Sequence, residues 1–155
     1  MFNILMSYTN EEDEIKIVQA ATGAGKVELR PVLGGAELLE AQKVIRDVQV
    51  PAAISSYIVD LVAASRTGEQ TATDFAKEYI AWGAGLRASQ NIVLAAKSKA
   101  ALSGRNTVQL EDVKAVIMPV MRHRIGLNFR AEIDKVTVED LVGRLVKGTP
   151  LPKGV

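Results

Sequence analysis

Between Gly85 and Gly104 the chain runs eighteen residues without a proline or glycine, and five of them are alanine. Alanine is the best helix former, and the glycines at either end supply natural stops. The stretch predicts a helix from about Leu86 to Ser103. Its small side chains let neighbouring backbones come close, so the rest of the chain has to pack against it as further helices.

The flanking sequence agrees. Thr9 and Asn10 offer capping side chains ahead of Glu11, and a helix is expected from Glu11 to Thr22, closed by Gly23. The four acids Glu11, Glu12, Asp13 and Glu14 suit its first turn. Lys26 to Leu33 reads as extended. Leu38, Ala41, Ile45 and Val48 recur at helical spacing within a second helix, from about Ala36 to Val48. Pro51 suits the first turn of a third, striped by Ile54, Ile58, Leu61 and Val62 and closed by Gly68. Residues Glu69 to Ala84 are the least regular, with Tyr79–Trp82 a short strand. After the alanine-rich helix, Asn106–Val108 is extended. A fifth helix runs from about Leu110 to Arg124, kinked at Pro119. Ile125 to Arg130 is a candidate strand. Thr137 and Asp140 form a capping box for a last helix carrying Leu141, Val142 and Leu145. The apolar residues Met1 to Tyr8 are strand-like. The expected fold is mainly α: a bundle of about six helices beside a small sheet of two or three strands, near Trp82, Val108 and Leu127.

Composition excludes several classes. With 155 residues, nearly half apolar, the chain can bury a core as one domain with or without a tail. It has no cysteine, which rules out disulfides and thiolate catalysis and fits a reducing cytoplasm. No apolar run reaches the length of a membrane span, and the start lacks the pattern of a signal peptide. Net charge is +1, unlike a strong nucleic-acid binder, although it is uneven. From Arg87 onward there are 12 Lys/Arg and 6 Asp/Glu; before it, 7 and 12.

Thr22-Gly23-Ala24-Gly25-Lys26-Val27 imitates a phosphate-binding loop and fails the test. Ala20 stands where that loop needs its first glycine, and Val27 where it needs Ser or Thr for Mg²⁺. The turn also follows a helix and precedes an extended piece, the reverse of the required order. The pairs Glu111/Asp112 and Glu139/Asp140 lie in first helical turns and read as caps. His123 is the only histidine. No nucleophile–base pair and no metal cluster can be assembled, so no residue is assigned as catalytic or metal-ligating.

One short run does carry a charge argument. Gly83-Ala84-Gly85-Leu86-Arg87-Ala88-Ser89 places an arginine in a first helical turn, where the dipole is already positive. Either a nearby carboxylate or a bound anion has to compensate. The small residues Gly83, Ala84, Gly85 and Ala88 let another body approach. Twenty-nine residues after Ser89 comes Met118-Pro119-Val120-Met121-Arg122-His123-Arg124. Cations at a helix C-terminus are favourable on dipole grounds alone. Arg122 and Arg124 project differently and are candidates for an interface.

The two runs, in this order and spacing, resemble the C-terminal lid of MoxR-type AAA+ ATPases. The family pattern Gly-Ala-Ser-Pro-Arg-Ala corresponds to Gly83-Ala84-Gly85-Leu86-Arg87-Ala88, with Gly85 and Leu86 in place of Ser and Pro. The family's Pro-Val-Leu-Arg-His-Arg corresponds to Pro119–Arg124. Val50-Pro51 through Tyr57–Val62 and Arg66 is similar to the lid helix that leads toward the sensor-2 turn. The resemblance implies that residues 1–22 are the end of an ATPase core and a linker helix, and that 23–155 are the lid. It implies that Arg87 is the sensor-2 arginine, reaching the γ-phosphate of ATP when the lid closes. It further implies ATP and Mg²⁺ in an intact parent, with an AAA+ core, neighbouring ring subunits and client proteins as partners. On this reading the isolated chain carries no ATPase activity, binds no nucleic acid and does not insert into a membrane. The competing expectation is a stand-alone helical interaction module. Such a module should be stable and monodisperse, whereas a lid should expose an apolar face meant for its core.

Overall fold

A computed structural model of the chain describes residues 1–23, 25 and 29–152. Among them are eight helices: α1 (Glu11–Thr22), α2 (Gly35–Asp47), α3 (Ala52–Ala63), α4 (Asp74–Tyr79), α5 (Leu86–Leu102), α6 (Leu110–Met121), α7 (Phe129–Ile133) and α8 (Val138–Gly148). Two strands, β1 (Ile80–Trp82) and β2 (Gly126–Leu127), pair antiparallel, with Ile80 opposite Leu127 and Trp82 opposite Gly126.

The alanine-rich α5 is the spine. Ala88, Ile92, Ala95, Ala96 and Ala100 are buried, and the small side chains let α6 lie against it as the most extensive helix pair of the fold. Ile54, Ile58 and Leu61 of α3 close one side. Leu141 and Leu145 of α8 pack over α6. Burial of such apolar side chains, each worth about 1.5–3 kcal/mol, is what holds the bundle. The contiguous core begins at Val48; α1 and α2 contribute no buried residue. Asn10 caps α1 by accepting from the Asp13 N–H at 2.8 Å.

Several expectations change in detail. Among the described residues there are eight helices where about six were expected, the two extra being the short α4 and α7. Within the irregular stretch from Glu69, residues Asp74–Tyr79 form α4. The candidate strand over 125–130 is reduced to Gly126–Leu127, because Asn128 caps α7 by accepting from the Ala131 N–H at 3.1 Å. The piece at Asn106–Val108 makes no strand. It contributes a single bridge, Thr107 to Gln49, so the sheet stays two-stranded. Met1–Tyr8 is irregular, held at Asn3, whose N–H donates to the Pro119 carbonyl at 2.8 Å. Pro51 is the N-cap of α3, and α3 ends at Ala63, ahead of Gly68. α6 ends at Met121, so Arg122 is its C-cap. Gly104, at φ +71°, ends α5 in the left-handed region that favours glycine. The imitation phosphate loop at 22–27, and the extended piece that follows it, fall partly on residues 24 and 26–28, outside the described residues.

Two caps carry measurable stability. Asp112, fully buried, accepts from both terminal nitrogens of Arg105 at 2.7 and 2.6 Å and from the Gln109 N–H at 2.9 Å. The Arg105 guanidinium, foremost, holds the Asp112 carboxyl below its ordinary value of 3.8. A depressed carboxyl stabilises the fold above its unfolded pKa, and that stability is lost as pH falls through the folded value. Acid unfolding of the wild type should therefore begin below about pH 4. Asp112→Ala should cost about 2 kcal/mol at pH 7 and flatten this acid limb, as read by denaturant melts across pH. A mutant that keeps the full acid limb would refute the assignment. At α8, Thr137 Oγ1 accepts from the Asp140 N–H at 3.1 Å, and the Thr137 N–H donates to Asp140 at 3.0 Å. Thr137→Ala should cost about 1 kcal/mol in the same melts.

Candidate functional site

The turn Gly83–Gly85 leads from β1 into α5, and its position is set from α3. Ser65, fully buried just past the end of α3, donates its hydroxyl to the Val62 carbonyl at 2.6 Å and accepts from the Ala84 N–H at 3.0 Å. Arg66 donates from Nε to the Ala84 carbonyl at 3.0 Å. Both backbone groups of Ala84, whose methyl is itself buried, are thus held by consecutive residues of another element. Gly83 has to be glycine: a Cβ there would lie 2.2 Å from the Ser65 carbonyl oxygen. Gly85, the N-cap of α5, has open space around it.

Arg87 follows as the second residue of α5, and its side chain is exposed. No acid occupies the first turn of that helix, and among the described residues no carboxylate pairs with Arg87. The Leu86 and Arg87 N–H groups point out of the first turn without a backbone acceptor, as at any helix start. Of the two ways to compensate a cation there, an internal ion pair is not seen among the described residues. An exposed guanidinium and free amides in one helical turn are chemistry suited to oxyanions.

Arg122 and Arg124 are used differently. Arg122 is mostly covered, and its Nε lies 3.3 Å from a Glu139 oxygen, so it ties the end of α6 to α8. The Nε of Arg124 is buried without a hydrogen-bond partner. His123 between them is exposed. These residues do not converge with Arg87 in any hydrogen bond or ion pair described here. An apolar groove of about 590 Å³ between α2 and α5, lined by Ala41, Val44, Ile45, Ala101 and Leu102, shares no residue with the turn. Among the described residues no group of three or more His, Asp or Glu could hold a metal ion. None of the described helices is long and apolar enough to cross a membrane.

Ser65 and Arg66 were not singled out from the sequence as site residues. A signal was present. Ser65 continues the apolar stripe of Ile58 and Leu61 at helical spacing, and a polar group placed on a buried stripe needs a partner.

The fold and this turn define a known class. The AAA lid domain family matches residues 72–145. Chaperone MoxR1 of Mycobacterium tuberculosis is 33% identical over 153 residues, covering 99% of this chain and 40% of that protein. Protein MoxR of Paracoccus denitrificans is 38% identical over 80 residues, 49% of this chain and 24% of its own length. A crystal structure of a Cytophaga hutchinsonii protein described as an ATPase superposes with a TM-score of 0.87 at 25% identity, over 99% of this chain and 47% of that one. Residues 72–145 thus match an AAA lid domain, and the chain as a whole is similar to MoxR-type proteins. It spans less than half the length of the full-length relatives it matches.

Proposed function

We propose that this lid closes over ATP held by an AAA+ core and that Arg87 is its nucleotide-sensing residue. The observation that carries the reading is Arg87 itself: an exposed guanidinium, without a carboxylate partner among the described residues, at a helix start whose first amides have no backbone acceptor. The site suits the phosphate end of a nucleotide. On this proposal Mg²⁺ is held by the core; among the described residues no group of three or more His, Asp or Glu could hold a metal ion. ATP supplies the phosphoanhydride whose cleavage is to be coupled to movement. What this chain supplies is a fork of donors on a separate body, engaged when the bodies close and released when they part. Ring assembly with neighbouring subunits and remodelling of client proteins belong to the same proposal, supported by the relative named as a chaperone. The test is ATP turnover by the complete ATPase carrying Arg87→Ala. A lost or sharply reduced rate supports the assignment, and an unchanged rate refutes it.

A further inference from the structure

We infer that Arg66 is a positioning residue for nucleotide sensing, acting through the backbone of Ala84 to aim Arg87. The inference rests on the role proposed above for Arg87. Gly83 and Gly85 flank Ala84, so local sterics leave the direction of entry into α5 loosely determined on both sides. What determines it is the pair of bonds from α3: Ser65 Oγ to the Ala84 N–H, and Arg66 Nε to the Ala84 carbonyl, both 3.0 Å. Ser65 is sealed in the core and serves the packing of the turn in any state. Arg66 is different. Its side chain is about a third exposed, and the same guanidinium donates through Nη1 to Glu69 at 3.1 Å.

One planar group therefore ties three points together: the end of α3, the Ala84 carbonyl, and Glu69 at the head of the segment leading to α4. That segment is also pinned back on α3, where the Thr73 N–H donates to the Ala64 carbonyl at 3.3 Å. At its far end the Tyr79 carbonyl accepts from the Asn128 N–H at 3.0 Å. The stretch from Glu69 to Tyr79 thus acquires a job, as the brace that keeps the Arg66 fork in plane. A lysine at this position has one ammonium and cannot hold both partners in fixed geometry.

The experiment is a double-mutant cycle on ATP turnover by the complete ATPase, with Arg66→Met, Arg66→Lys, Arg87→Ala and the combinations Arg66→Met/Arg87→Ala and Arg66→Lys/Arg87→Ala. Thermal melts confirm that each variant is folded. Arg66→Met should lower kcat between about 10- and 100-fold, the cost of a guanidinium misplaced by about an ångström, with a smaller change in KM. Arg66→Lys should recover part of that loss. In the Arg87→Ala background the Arg66→Met change should cost nothing further, because there is no longer a side chain to aim. Equal losses in both backgrounds would show a general structural role and overturn the inference. So would full activity of Arg66→Met beside a slow Arg87→Ala. If Arg87→Ala is itself fully active, the sensing assignment has failed, and this inference falls with it. If Arg66→Met melts too low to assay, Arg66→Lys decides: the same non-additive loss supports the inference and additivity overturns it.

Discussion

Alanine at position 87, the proposed sensing residue, is expected to slow ATP turnover by the proposed parent ATPase at least about 10²-fold, the usual cost of removing one preorganised donor from a developing oxyanion. The lid itself should stay folded. Arg87 is exposed and pairs with no carboxylate among the described residues, so its removal should take little packing from α5. Taking a cation out of a first helical turn removes a mildly unfavourable dipole contact, so the melting temperature should hold or rise slightly. Arg87→Lys separates charge from geometry. If the planar fork matters, lysine restores only a fraction of the rate; if a point charge suffices, it restores most of it. Steady-state turnover beside a thermal melt decides, and a large fall in melting temperature would count against a purely functional role.

Gly83→Ala should destabilise the fold by about 3 kcal/mol, through overpacking against atoms that cannot yield. The new Cβ would stand 2.2 Å from the Ser65 carbonyl oxygen, 2.5 Å from its carbonyl carbon and 2.8 Å from the Arg66 Cα. All three are backbone, so relief requires moving the end of α3 away from the turn. Two residues on, Gly85→Ala meets nothing within 4 Å and should cost under about 1 kcal/mol. Both glycines look alike in sequence, and the contrast between them is the test. Similar melts for the two variants would mean that the close approach at Gly83 relaxes at little cost. Gly83→Ala should also lower turnover beyond its effect on stability, since it pushes on the same bonds that hold Ala84.

The long elements were legible because their signals are local. Alanine content announced α5, and the stripe of α3 follows from residues three and four apart. Thr137–Asp140 reads directly as the cap it forms. The short elements were hidden for a physical reason. α4 and α7, at six and five residues, are too brief to show a helical period, and each is stabilised by the other. Arg130 of α7 pairs with Glu78 of α4 at 2.7 Å, and Asn128 donates to the Glu78 carbonyl at 2.7 Å. Neither helix has a reason to exist without its distant partner. Val108 looked like a strand because a β-branched residue precedes a cap, yet only a single bridge forms there. In the site, Arg87 could be found from its own neighbours. The clamp on Ala84 could not, since Ser65 and Ala84 are nineteen residues apart and no spacing rule links them.

The contact between Trp82 and Gly126 has a practical corollary. The indole lies so close over Gly126 that a Cβ there would fall 2.1 Å from the ring, while about two-thirds of the residue faces solvent. It is the only tryptophan in the chain, and it immediately precedes Gly83. The molecule thus carries its own optical probe beside the turn proposed to sense nucleotide. A shift of the turn against β2 changes how much water the indole sees, and so changes its emission colour with no label attached.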